Sequence, residues 1–160
     1  MKYIKLYEQH NNIDSKIDSY LKEGIFDNLP KDFKKGLLTW MYEGEPVEWS
    51  YTDGIKDWIN DPNVDILIND YSKEMGSKTF KYGFVPTELV IEKLTPIITE
   101  YGYSSFEEWR EAYQSTNDAN HGDSRFPIII GDEYEWIWDG WHRLNYYLHN
   151  KVSEIPVIEV

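Results

Sequence analysis

Apolar residues recur every three or four positions over much of this chain, a spacing that predicts helices with one buried face. Ile13, Ile17 and Leu21 follow it, and Gly24 is placed to end the helix that they form. Residues 31–42 repeat the pattern directly after a proline. The N-terminal part is therefore expected to supply two amphipathic helices that cover a core.

The middle of the chain gives weaker signals. Residues 55–59 have a short helical pattern, and the apolar run 64–68 fits either a strand or a helix, which periodicity alone does not decide. Residues 72–82 have little apolar pattern, which predicts an exposed loop. This stretch is locally basic, with Lys73, Lys78 and Lys81.

Two further helices are predicted before the last polar stretch. The first covers 89–94, and Pro96 is expected to end or restart it. The second runs to Gln114 and is capped by Ser104 or Ser105. Its aromatic stripe is expected to face the core.

The C-terminal stretch alternates short apolar runs with turn residues. Residues 126–130 and 155–158 are typical of buried strands, and 134–138 is aromatic and strand-like. Asp139-Gly140 marks a tight turn, after which 141–149 has helical spacing. The order strand, strand, helix, strand predicts a small mixed sheet with at least one parallel pair.

Length and composition favour one domain. The 160 residues are 41% apolar and 16% aromatic, which is ample for a packed core. We expect a single α+β domain over residues 1–160, with a mainly helical region at 1–83 and the sheet within 84–160. The chain has no cysteine, so thiol chemistry and a disulfide scaffold are excluded.

The turn at Gly140 carries the candidate chemistry. A helix that begins there directs unpaired N–H groups and the positive end of its dipole outward, which favours an anion. Gly140 lets the backbone approach a phosphate, Arg143 offers bidentate donors, and His142 titrates near neutral pH. In the alternative interpretation Asp139 caps the helix, Arg143 is solvated and His142 is a surface residue.

Three motifs follow one another in the C-terminal segment: Phe-Pro-Ile-Ile-Ile at 126–130, Trp-Asp-Gly-Trp-His-Arg-Leu at 138–144 and Glu-Ile-Pro-Val-Ile at 154–158. Together they resemble the ParB/sulfiredoxin superfamily, including the ParB-like nuclease-type domains common in phages and plasmids. The resemblance covers residues 126–160, with weaker support from the segment that begins at Phe84. It implies a ParB/sulfiredoxin-like fold in which the last strand closes the sheet.

The resemblance also implies a binding site. Gly140, His142 and Arg143 match the turn that contacts nucleotide phosphates in that family, and Asp139 matches the polar residue often found before its glycine. Trp141 departs from the pattern, because sulfiredoxins place their reactive cysteine there and ParB partition proteins an acidic residue. What the resemblance supports here is a phosphate cradle without sulfiredoxin-type thiol chemistry.

The overall charge limits the partners. A net charge of −13 disfavours generic DNA binding, which needs Lys and Arg to release counterions from phosphates. A small pocket needs only local positive potential, from Arg143, a helix terminus and Arg125. Alternatively, the carboxylates themselves bind a basic partner or mimic a nucleic acid, although they are spread along the chain as on any solvated surface.

A polar stretch at 115–125 leads into the first C-terminal strand and reads as a loop. Its His121, Asp123 and Arg125 are candidates for the other wall of a pocket. No spacing matches a zinc motif, so no transition metal is expected. Mg²⁺ bound with a nucleoside triphosphate is the expected cofactor, with Asp139 as its first candidate ligand.

The leading functional hypothesis is a nucleotide- or phosphate-binding protein. Its candidate activity is that of an NTPase or phosphotransferase, with His142 and Arg143 as the catalytic candidates. Asp139, Gly140, Trp141, His142, Arg143 and Arg125 are the candidate binding residues. The alternative is a non-catalytic acidic interaction protein with aromatic anchors such as Trp138, Trp141, Tyr146 and Tyr147. A ParB-like nuclease is the third interpretation.

No run of apolar residues approaches the length needed to cross a bilayer, and the start of the chain lacks a signal-peptide core. No membrane partner is expected. The expected location is the cytoplasm, which is the host cytoplasm if the protein is phage-encoded.

Overall fold

The structure, a computed structural model, describes residues 12–41, 62–114, 126–131 and 136–160. Within these ranges the chain forms six α-helices and five strands of one α+β domain. In chain order the elements are α1 (12–18), β1 (Leu21–Ile25), a 3-10 turn (Phe26–Asn28), α2 (Lys31–Met41), α3 (Pro62–Met75), β2 (Thr79–Pro86), α4 (Thr87–Glu100), α5 (Phe106–Gln114), β3 (Ile128–Ile130), β4 (Ile137–Asp139), α6 (Trp141–His149) and β5 (Glu154–Glu159). The helix expected at 55–59 lies outside the described residues.

The five strands form one mixed sheet in the order β1-β2-β5-β3-β4. β1 pairs antiparallel with β2, β2 with β5, and β3 with β4. β3 and β5 are parallel, so the chain leaves β3, forms β4, crosses over through α6 and returns beside β3. The expected strand, strand, helix, strand order with one parallel pair is therefore confirmed.

Helices cover the sheet on both faces. Alternate residues of a strand point to opposite faces of the sheet, and each face has its own hydrophobic cluster. In β5, Ile155 and Val157 belong to the first cluster and Ile158 to the second. The first cluster includes residues of α1, α4, α5 and α6, and the second includes residues of α2 and α3. Ile128, Ile129 and Ile130 are all buried because β3 has a helical layer on each side.

The mainly helical N-terminal region also contributes strands to the sheet. It supplies β1, and β2 crosses the expected boundary at residue 83. The prediction of an exposed loop at 72–82 was wrong, because α3 continues to Met75 and β2 begins at Thr79. In β2, Phe80 and Tyr82 face the second cluster, a period of two that Lys81 between them concealed.

Two helix boundaries also differ from the expectations. The first helix covers 12–18, and Gly24 lies inside β1 instead of ending that helix. α4 runs through Pro96. A proline inside a helix costs about 3 kcal/mol, while burying Leu94 and Ile98 on its core face contributes about 1.5–3 kcal/mol each, so burial offsets the lost backbone bond.

Two helices end in the same hydrogen-bonded turn but with different residues at its left-handed position. After α4, Gly102 has φ +93°, and its N–H and that of Tyr103 donate to Thr99 O and Ile98 O. After α6, Lys151 has φ +53° and takes the same place, with its N–H donating to Leu148 O. A left-handed conformation costs a non-glycine residue about 1–2 kcal/mol, which Gly102 avoids and Lys151 does not.

The start of α5 has the predicted serine cap. Ser105 Oγ accepts a hydrogen bond of 3.1 Å from the Glu108 N–H. In return the Glu108 carboxylate accepts bonds from the Ser104 hydroxyl and from the Ser104 N–H, the latter at 2.7 Å. The Ser104 hydroxyl and N–H hold the pKa of Glu108 below its ordinary value. Both serines therefore take part, one as the cap and one as the partner of the first-turn carboxylate.

No helix in the described part of the chain is long and apolar enough to cross a membrane.

The first prediction concerns the close contact of β2 with the end of α1. A Cβ on Gly83 would lie 2.2 Å from Tyr20 O, a backbone atom, whereas a Cβ on Gly24 would meet only the ring of Tyr82 at 2.8 Å. We expect Gly83→Ala to lower the free energy of unfolding by about 1–3 kcal/mol because backbone must move. At about 2–4 °C per kcal/mol, thermal unfolding measures the effect.

Gly24→Ala is the matched control, since it makes the same change in the paired strand against a side chain that can rotate. An equal loss in the two variants would contradict the account of the Gly83 contact.

The second prediction concerns the Glu108 cap and pH. Because folding lowers the pKa of Glu108, its stabilisation is fully present above the ordinary value of 4.5 and is lost as the pH falls below it. We therefore expect the difference in melting temperature between the wild type and Glu108→Gln to shrink as the pH falls through this window. The same substitution at Glu111 serves as the control, and a difference that grows with acidity would contradict the prediction.

Candidate functional site

The turn between β4 and α6 has the expected backbone. β4 ends at Asp139, Gly140 has φ +100°, and α6 begins at Trp141. The Gly140 carbonyl accepts the first helical bond, from Leu144 N at 2.8 Å. The positive φ explains the glycine at this position, since few other residues adopt it without strain.

Asp139 and Arg143 form an ion pair across this turn. Arg143 Nη2 donates to Asp139 Oδ2 at 2.8 Å, and the Gly140 N–H donates to Asp139 Oδ1 at 2.7 Å. The Arg143 side chain is only 5% exposed, whereas that of Asp139 is 27% exposed. Both expected arrangements were thus incomplete: Arg143 is buried, not solvated, and its charge already has a carboxylate partner from the same chain.

Gly140 is also required by packing within the turn. A Cβ there would lie 3.0 Å from Arg143 Nε and 3.1 Å from the Cα of Ile128 in β3. The glycine therefore admits the guanidinium and the neighbouring strand. This packing accounts for the residue without a bound phosphate.

Most of the aromatic residues proposed as interface anchors pack against other residues of the protein. The ring of Trp141 packs edge-on against Trp109 of α5, with ring centroids 5.5 Å apart. Tyr147 is buried, and its hydroxyl donates to Phe126 O. Trp138 alone of the four proposed anchors is exposed, and its ring lies 5.9 Å from that of Trp40 in α2.

Several candidate residues lie beyond what the structure describes. Arg125, His121 and Asp123 are outside the described residues, and His142 is described only as a position in α6. Within the described ranges no group of three or more His, Asp or Glu side chains is arranged to hold a metal ion. Asp139, the candidate Mg²⁺ ligand, is held by Arg143 and the Gly140 N–H.

Asn145 is an unusual residue that sequence reasoning missed. Its side chain in α6 is fully buried, and neither amide atom has a hydrogen-bond partner. An unsatisfied buried amide costs about 1–3 kcal/mol, and such a group in a native protein points to water, an ion or a ligand. The sequence signal was a polar residue, Asn145, at a position where the helical pattern predicts an apolar one.

Among the helices that cover the two faces of the sheet, α4 and α5 carry an excess of negative charge. In sequence, α2 and α3 together hold four cationic and four anionic side chains, whereas α4 and α5 hold six carboxylates and two cations. One of these two cations, Lys93, is paired with Asp14 at 2.5 Å. All six carboxylates are exposed, and we call them the acidic face: Glu88, Glu92, Glu100, Glu107, Glu108 and Glu111.

The basic stretch does not form a separate cationic surface. Lys73 pairs with Asp70 at 2.9 Å and Lys81 with Asp18 at 2.7 Å, while Lys78 lies over the ring of Phe80. Hydrogen bonding to Asp70 and to Asp18 raises the pKa of each of the two paired lysines.

Comparison of the chain with protein-family models, with curated proteins and with solved structures found no match.

The third prediction tests the Asp139–Arg143 pair. Asp139→Asn leaves a buried guanidinium without a counter-charge, and we expect it to lower the free energy of unfolding by about 3–5 kcal/mol. Arg143→Met keeps most of the buried packing and leaves a carboxylate that water partly reaches, so we expect a smaller loss of about 1–2 kcal/mol. Urea unfolding measures both.

The double variant supplies the control for this pair. With both charges removed, the loss should be smaller than the sum of the two single losses. Additive losses, or a larger loss in Arg143→Met than in Asp139→Asn, would show that the pair does not stabilise the turn as described.

Proposed function

We propose that this protein is a non-catalytic binding protein whose acidic face takes a basic partner. The observation that carries the proposal is the distribution of charge: six exposed carboxylates lie on α4 and α5, against two cations of which one is already paired. In the other layer, α2 and α3 hold equal numbers of cations and carboxylates. Among these four helices, the surplus of negative charge therefore belongs to α4 and α5.

The β4–α6 turn favours this proposal over the phosphate cradle. A phosphate would need the Arg143 guanidinium, which is buried and bonded to Asp139. The Asp139 carboxylate also occupies the Gly140 N–H. Since the protein's own carboxylate takes the position of an anion there, a ligand phosphate would have to displace it.

Charge complementarity makes specific predictions about binding. A surface of one sign raises the rate of encounter with a partner of the opposite sign and selects against partners of like sign. Because these carboxylates are exposed, salt screens them over about 10 Å at 0.1 M ionic strength. Binding should therefore weaken steeply with added salt.

The fourth prediction locates this binding. Glu92→Gln, Glu100→Gln and Glu111→Gln combined remove three charges from the acidic face, and Asp65→Asn, Asp70→Asn and Glu74→Gln combined remove three from α3. With a ten-lysine peptide as the probe at about 50 mM salt, we expect the first variant to bind at least roughly threefold more weakly and the second nearly as the wild type.

Equal weakening of the two variants would mean that the probe responds to net charge alone, and the proposal would be wrong. Absence of binding by the wild type at low salt would also exclude it. A protein captured from lysate supports the proposal only if its capture is lost with the first variant and kept with the second.

A second candidate function is nucleotide or phosphate binding at the turn, as in the resemblance to ParB/sulfiredoxin proteins, with an NTPase or phosphotransferase as the activity. Two observations favour it. The fully buried Asn145 has no hydrogen-bond partner, and the partly exposed Asp139 carboxylate lies at the start of α6, where Mg²⁺ could join it. This candidate function assigns phosphate binding to Gly140, Trp141, His142, Arg143 and Arg125.

The second candidate predicts a thermal shift with ATP, CTP, GTP or inorganic phosphate in the presence of Mg²⁺. A ligand at a hundred times its Kd stabilises by about 2.7 kcal/mol, a shift of several degrees for this chain. The shift should disappear in Asn145→Leu, which removes the unsatisfied amide while keeping the helix. No shift with the wild type at millimolar ligand would exclude this candidate.

A further inference from the structure

A cleft of about 330 Å³ opens where the start of α4, the start of α5 and the turn after α6 meet. It lies at the C-terminal end of α6, so it is separate from the Asp139–Arg143 turn at the N-terminal end of that helix. Its volume is at the lower end of the range of about 300–1,000 Å³ for small-molecule sites. The ligand that it fits is therefore small.

Charged side chains of both signs line the cleft together with apolar side chains. The charged residues are Glu88, Glu107, Arg110 and Lys151, and the apolar lining includes Ile91 and Leu148. Among the ion pairs between described residues, none includes any of these four charged side chains. The cleft therefore presents two carboxylates and two cations to a ligand.

Lys151 adopts a left-handed backbone conformation that is unfavourable for lysine. The same hydrogen-bonded turn after α4 uses Gly102, and a left-handed residue that is not glycine is strained. Backbone strain of this kind clusters at active sites and ligand-binding sites. The only feature of position 151 that glycine cannot supply is the lysine side chain, and that side chain lines the cleft.

We infer that this cleft binds a basic amino-acid residue with a free carboxylate, either as a free amino acid or as the last residue of a polypeptide. Lys151 and Arg110 receive the carboxylate, Glu88 and Glu107 receive the cationic groups, and the aliphatic stem contacts the apolar lining. The inference needs only these local charges and does not rest on the proposed function.

The test uses three probes that differ by one group each. L-arginine carries every group, agmatine lacks the carboxylate, and N-acetyl-L-arginine stands for a chain end. By calorimetry at low salt, we expect agmatine to bind the wild type about fivefold more weakly than arginine, the size of one exposed charge contact. If N-acetyl-L-arginine binds with the same affinity as L-arginine, the ligand is the end of a polypeptide chain. If N-acetyl-L-arginine binds much more weakly, the ligand is the free amino acid.

Lys151→Gly separates the ligand contact from the fold. Because glycine relieves the left-handed strain, we expect an unchanged or higher melting temperature, together with arginine binding reduced to the level of agmatine. Glu107→Gln should weaken both arginine and agmatine. Lys73→Gln, which removes the same charge from α3, is the control and should leave all three affinities unchanged.

Two results would overturn the inference. One is the absence of binding of all three probes to the wild type at about 10 mM, the concentration at which even a weak site is substantially occupied. The other is a ratio of arginine to agmatine affinity that Lys151→Gly leaves unchanged, since the lysine would then have no part in carboxylate binding.

Discussion

β5 is the strand on which the rest of the described structure depends. It pairs with β2 on one side and β3 on the other, and Val157 lies opposite both Gly83 and Ile128. The N-terminal strands join the C-terminal ones only through it, within the described sheet. Because helices cover both faces, its residues from Ile155 to Ile158 are all buried, which is possible only for an uninterrupted apolar run.

Burial on both faces also explains the chemistry of the β4–α6 turn. α6 must lie close against the sheet, so an arginine in its first turn is enclosed instead of reaching water. An enclosed guanidinium requires a carboxylate partner, and Asp139 supplies it from the end of the neighbouring strand. The same local sequence that suggests an anion site therefore also satisfies a requirement of the fold.

The sequence predicted the C-terminal order of elements because those patterns are local: an apolar run, an Asp-Gly turn and helical spacing at 141–149. It did not predict β1 or β2. Both are specified by pairing with distant residues, and Lys81 interrupts the apolar pattern of β2. Likewise, the candidate residues at the turn were found from sequence, but the burial of Arg143 depends on packing that no spacing encodes.

The two edges of the described sheet are poorly suited to pairing with another chain. β4 has only three residues, and β1 exposes the charged side chains of Lys22 and Glu23 beside Gly24. Short and charged edges are the features by which proteins prevent unwanted strand addition. On the surface formed by the described residues, a polypeptide partner is therefore recognised by contacts of its side chains with the helices more than by pairing of its backbone.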